Sequence, residues 1–113
     1  MKKYSENRPW GKFEQFCKNE KATVKIISVN PNSKLSLQYH NNRDEFWKVI
    51  SGEAKITIGE KVTDAKKGDE FFIPKLSKHR IETLDSSTEI MEVSFGDFDE
   101  DDIVRLEDSY GRI

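Results

Sequence analysis

The chain has 113 residues, 35% of them hydrophobic and 11% aromatic, which is material for one core and too little for two ordinary domains. Its 19 basic and 21 acidic residues leave a formal charge of -2 spread along the sequence, which argues against nonspecific nucleic-acid binding. No run approaches the roughly 20 apolar residues of a membrane-spanning helix, and the basic start Met1–Lys3 leads into polar residues, so a cytoplasmic protein without a membrane partner is expected.

In chain order, RPWGKFEQF over 8–16 reads as an amino-terminal strand, and Cys17, the single cysteine, has no partner for an intramolecular disulfide. Val24 and Ile26 alternate with Thr23 and Lys25, predicting a strand with an apolar face and a wet one. After the turn Asn30-Pro31-Asn32, the residues Ser36, Gln38 and His40 share one face of a second strand. Glu45 opens the next strand beyond Asn41, Asn42 and Arg43, and Trp47 lies just inside it. Ser51-Gly52 precedes the alternation Ala54-Ile56-Ile58, and Gly59-Glu60 and Lys67-Gly68-Asp69 are further turns. An apolar strand then ends at Pro74, and His79 begins another after a short loop.

Turns at intervals of about 8–12 residues, with no long helical stretch between them, predict an all-β sandwich or barrel over roughly 21–96. The tail, 97–113, differs: Asp97–Asp102 holds five acids in six positions, followed by Ile103, Val104 and Leu106 at a spacing that predicts a short helix. The acidic run fits no calcium loop and is read as a solvated segment. Trp10, Phe13 and Trp47 are expected to fill the barrel or an interface.

Gln38, His40, Glu45 and His79 form a mixed nitrogen and oxygen donor set able to hold a divalent ion while leaving coordination positions for substrate. Both histidines of the chain belong to it.

The segments carrying these residues resemble the two cupin motifs. In the first motif, usually Gly, five residues, His-x-His, three or four residues, Glu, six residues, Gly, the matching positions here are Asn32, Gln38, His40, Glu45 and Gly52. In the second, Gly68, Pro74 and His79 match, while Leu76 stands for a glycine and Thr83 for an asparagine. The phrases QYHNNRDEFWKVISG, RPWGKFE and EVSFGDFDEDDIVRLEDSYGR narrow the likeness to the cupin domain of type II phosphomannose isomerases, often joined to a mannose-1-phosphate guanylyltransferase domain. That resemblance covers Arg8 to Arg112 and implies one jelly-roll (double-stranded β-helix) cupin domain over 1–113. It also implies a metal held by Gln38, His40, Glu45 and His79, with zinc the first expectation and manganese, iron, cobalt or nickel the others. No guanylyltransferase activity is expected of this sequence.

The implied reaction interconverts an aldose phosphate and a ketose phosphate, with mannose 6-phosphate and fructose 6-phosphate the first pair to test. Lys48, Glu92 and Tyr110 are the candidate proton-transfer bases, beside a metal-bound hydroxide, and the residues do not choose among them. Ser36 is a candidate substrate contact. Arg43, Lys48, Arg80, Arg105 and Arg112 are candidate phosphate ligands, although Arg43 reads equally as a partner of Asp44 or Glu45. A noncatalytic metal- and sugar-binding cupin, or an enzyme acting on another sugar phosphate or a nucleotide sugar, is the alternative. A homodimer formed through sheet faces or exchanged amino-terminal strands is expected.

Overall fold

Alternating β-branched and polar residues form ten strands in the computed structural model, which describes residues 3–113. The strands are β1 (Tyr4–Arg8), β2 (Gly11–Gln15), β3 (Ala22–Val29), β4 (Leu37–Tyr39) and β5 (Glu45–Ile58). They continue with β6 (Lys61–Lys66), β7 (Glu70–Ile73), β8 (His79–Glu82), β9 (Thr88–Phe95) and β10 (Val104–Glu107).

The 14-residue strand β5 ties the two halves of the barrel together. Its first half pairs with β9 and β7, and β9 pairs in turn with β3; its second half pairs with β6 and β8, and β8 leads through β4 to β10. The exchange happens at Gly52, where φ is +77° and the pairing register has just shifted between Val49 and Ser51. A bulge beside a residue in the left-handed region bends the strand from one sheet into the other.

Between the sheets lie Trp47, Val49, Ile56, Ile73, Ile81 and Ile90, each buried. Burying a side chain of this size stabilises the fold by about 1.5–3 kcal/mol. Ala54 and Ile56 face this core as their alternation predicts. Strand β3 has the opposite phase to the one expected from its apolar residues. Val24 and Ile26 are 58% and 52% exposed, while Thr23, Lys25 and Ile27 lie in register with Ser94, Glu92 and Ile90 of the inner face. Lys25 thereby lies in the same rung as the buried Glu92 carboxylate, and the apolar pair is left on the outer face with Met91 and Val93.

The amino-terminal segment is a hairpin rather than the single strand expected over 8–16, with Pro9 and Trp10 at its tip. Trp10 is 72% exposed and so does not fill the barrel, whereas Trp47 does. The tail carries no helix. Val104–Glu107 adds antiparallel to β4, whose free edge offers the backbone groups that a strand satisfies. The acids that suggested a helical first turn build a tight turn instead, with the Asp99 carboxylate accepting from the Asp101 N–H at 2.9 Å.

Two motif departures have visible backbone consequences. Asn32 and Leu76, at positions where the motifs carry glycine, adopt φ of +53° and +71°. Asparagine tolerates this region, and leucine is strained in it. Thr83 pins the loop that contains Asn32, its hydroxyl donating to the Asn30 carbonyl while accepting from the Ser33 N–H.

Candidate metal centre

His40 follows the end of β4, Glu45 opens β5 and His79 opens β8, so three strand ends bring the three donors to one point. Their ligand atoms all lie within 4.8 Å of one another, and each residue is at most 2% exposed. His40 Nε2 is 3.4 Å from Glu45 Oε2, and His79 Nε2 is 3.8 Å from Glu45 Oε1.

The hydrogen bonds around the rings fix their tautomers. His40 Nδ1 sits 2.7 Å from the Asp102 carbonyl and His79 Nδ1 2.9 Å from the Ser77 carbonyl. A carbonyl only accepts, so both protons reside on Nδ1 and both Nε2 atoms, near Glu45, are left as acceptors; Arg43 Nη2 lies 3.3 Å from that of His40. Burial pushes both imidazoles below their ordinary pKa, favouring the neutral, ligating form. The Nε2 atom of His79 is buried with no hydrogen-bond partner. An orphaned imidazole nitrogen directed at a carboxylate fits a metal ligand.

Glu45 is held on several sides. It accepts from Trp47 Nε1 at 3.1 Å, Arg43 Nε at 2.9 Å and Ser94 Oγ at 3.4 Å. Burial opposes its ionisation, but the neighbouring imidazoles and the Arg43 guanidinium outweigh that cost and hold it below the usual carboxylate range. Glu92, one rung away on the inner face, is pushed up to about 7 by burial and by the adjacent Glu45 charge. Gln38 is the register partner of His79 and so lies on the same face. Its carbonyl oxygen accepts from the buried Ser36 hydroxyl at 2.5 Å, which fixes the amide and leaves the oxygen a second lone pair.

The remaining predicted residues are dispersed. Arg43 donates to the Asp99 carbonyl, approaches His40 Nε2 at 3.3 Å and stacks on Phe98. Lys48 projects to the outer face and pairs with Glu14 and Glu70. Arg80, between the inward residues His79 and Ile81, donates to the Leu35 carbonyl. Arg112 forms an ion pair with Asp108, and Tyr110 is 63% exposed beside it. Arg105 occurs on β10 in register with Gln38. Two surface concavities, of about 420 and 380 Å³, lie along β5 and β6 and beside Tyr110 and Arg112. Donor geometry, not concavity, locates the chemistry here.

Sequence reasoning missed Asp102. Its carbonyl orients His40, and its carboxylate accepts from the Asn41 and Asn42 N–H groups at 2.8 and 3.0 Å. Nothing in the acidic run distinguishes it from its neighbours, because its contact with His40 runs through the backbone. Phe98 was likewise unremarked, although it lies against both Lys25 and Arg43.

Residues 2–108 match the protein family described as mannose-6-phosphate isomerase C-terminal. The chain belongs to this family. The mannose-6-phosphate isomerase C-terminal likeness extends to Xanthan biosynthesis protein XanB of Xanthomonas campestris pv. campestris, 41% identical over 93% of this chain and 23% of that protein. Mannose-1-phosphate guanylyltransferase ManC of Salmonella typhimurium is 38% identical over 94% of this chain and 22% of its own length. The chain therefore spans less than a quarter of the length of these curated relatives. The fold is that of cupins: a cupin 2 conserved barrel domain protein from Rhodopseudomonas palustris superposes with a TM-score of 0.66 at 20% identity, over 78% of this chain and 66% of that one. No helix among the described residues of this family member is long and apolar enough to cross a membrane.

Proposed function

We propose that this chain is a metal-dependent aldose-ketose isomerase of a sugar phosphate, with mannose 6-phosphate and fructose 6-phosphate as the pair to test. The observation that carries the reading is the buried convergence of His40, Glu45 and His79, with the two Nε2 atoms 3.4 and 3.8 Å from the Glu45 carboxylate oxygens. Membership of a family described by mannose-6-phosphate isomerase supports the substrate class. His40, Glu45 and His79 hold the ion, and Gln38 completes the set through its carbonyl oxygen. The ion, when bound, acts as a Lewis acid toward the substrate's carbonyl and neighbouring hydroxyl oxygens.

The chain's own groups divide the remaining work. Trp47, Ser94 and Arg43 hold the Glu45 carboxylate in one orientation, while the Asp102 and Ser77 carbonyls hold the rings. Of the three candidate bases, Glu92 alone lies on the inner face beside Glu45, since Lys48 faces outward and Tyr110 lies on the exposed tail. Its carboxylate takes the proton from C2 of the aldose and delivers it to C1 as the enediol collapses to the ketose, while the proton of the C2 hydroxyl passes to the C1 oxygen.

Mannose 6-phosphate incubated with metal-loaded protein in deuterated water tests the reading. Formation of fructose 6-phosphate with deuterium at C1, and deuterium at C2 of the recovered mannose 6-phosphate, both abolished by His40→Ala, supports it. Binding without exchange or conversion sinks isomerisation of this pair and favours a noncatalytic sugar-binding role. The expected homodimer remains our proposal, supported by Val24, Ile26 and Phe72 on the outer sheet face and by the exposed Trp10 hairpin. A solution mass equal to the 13.2 kDa monomer at micromolar concentration would contradict it.

A further inference from the structure

Two buried side-chain nitrogens among the described residues have no hydrogen-bond partner: His79 Nε2 and Arg105 Nε. They lie on strands joined through a single residue. Arg105 of β10 is in register with Gln38 of β4, and Gln38 is in register with His79 of β8. Register partners in antiparallel strands project to the same face, so Arg105 shares the face of the metal donors. Two inter-strand spacings separate the Arg105 and His79 backbones by about 10 Å. The first orphaned nitrogen is explained by a metal ion. The second belongs to a permanent cation and calls for an anion.

The other candidate cations are committed elsewhere. Arg43 is bound to Glu45 and the Asp99 carbonyl, Lys48 to Glu14 and Glu70, Arg80 to the Leu35 carbonyl, and Arg112 to Asp108. Arg105 makes no ion pair among the described residues, and its neighbour Glu107 turns to Arg80 at 3.6 Å. A guanidinium left with a buried, unmatched N–H beside a polar site has the fork geometry that binds phosphate through two parallel hydrogen bonds.

We infer that Arg105 is the phosphate anchor of the site and sets its preference for phosphorylated over free sugars. This inference rests on the sugar-phosphate reading above, but its test does not require turnover. Phosphate held at Arg105 places the far end of a phosphosugar two strands from His79, leaving its carbonyl end to reach the metal donors. Arg105 therefore selects the substrate, and the reacting atoms lie elsewhere.

The experiment compares the metal-loaded wild-type chain with Arg105→Met and Arg105→Lys, after metal content has been measured in all three. Inorganic phosphate, mannose 6-phosphate and mannose are each titrated, with Trp47 fluorescence as the signal. In Arg105→Met, affinity for both phosphate-bearing probes should fall roughly 10- to 100-fold, with mannose binding and metal content unchanged. Arg105→Lys should recover part of the loss, since an ammonium keeps the charge without the fork. Equal phosphate affinity in wild type and Arg105→Met overturns the assignment, and so does a wild type that binds no phosphate. Phosphate binding that depends on Arg105 without isomerisation leaves the anchor standing and removes only the proposed reaction.

Discussion

Gly52 and Gly59 both occupy the left-handed region, at φ of +77° and +60°, but their surroundings differ. A Cβ built on Gly52 would lie 2.2 Å from the Ser87 carbonyl oxygen and 3.0 Å from Thr88 Cα; one built on Gly59 would meet nothing within 4 Å. Alanine at each position therefore separates backbone strain from collision. Gly59→Ala should destabilise by about 1–2 kcal/mol, the cost of a left-handed conformation for an L-residue. Gly52→Ala carries that strain and adds overlap with backbone atoms that cannot rotate away, about 1–3 kcal/mol more. Its total is about 2–5 kcal/mol. At about 4 °C per kcal/mol for a domain of this size, Gly59→Ala should lose roughly 4–8 °C in Tm and Gly52→Ala roughly 8–20 °C. Urea unfolding of both variants beside the wild type measures the difference. Losses equal within about 0.5 kcal/mol would show that the close approach of Ser87 to the bend in β5 does not constrain Gly52.

Leu76→Gly should leave stability unchanged or raise it by about 1 kcal/mol, because relief of left-handed strain is partly offset by glycine's greater freedom when unfolded; a clear loss in urea unfolding would contradict this. Glu92 gives a pH signature in the metal-free protein. Its folded pKa of about 7 lies above the ordinary 4.5, so the native state binds this proton more tightly and the contribution falls as pH rises from 4.5 through 7. The Tm advantage of Glu92→Gln over wild type should accordingly grow between pH 4 and pH 8, and a constant difference would refute the assignment. Asp102→Ala removes the cap on the Asn41 and Asn42 N–H groups and loosens the carbonyl that orients His40. Metal affinity, measured by competition with a chelating dye, should drop roughly 10- to 100-fold. Asp102→Asn, which keeps an acceptor oxygen, should lose less, and equal losses in the two variants would contradict the capping role.

How much of this was legible beforehand depends on whether a residue acts through local spacing or through a distant partner. The alternation at Ala54 and Ile56 found the core face because period two is a local property of a strand. His40, Glu45 and His79 emerged from motif spacing, and the barrel brings them together. Val24 and Ile26 misled because the rung beneath them needed Lys25 inside with Glu92, a partner 67 residues away. Val104–Glu107 looked helical because its pairing edge, β4, lies more than 60 residues earlier in the chain. Asp102 was invisible because it holds His40 through a carbonyl that every residue possesses. Five basic residues were equivalent candidates for phosphate until the ion pairs of four of them could be seen.

The most direct test of a metal-dependent centre is metal content by mass spectrometry. The chain would be purified without chelator and offered zinc, manganese, iron, cobalt or nickel, beside Glu45→Gln and His79→Ala. The account predicts about one tightly held divalent ion per wild-type chain and far less in both variants. No retained ion under any loading, or retention in either variant equal to that of the wild type, would contradict it.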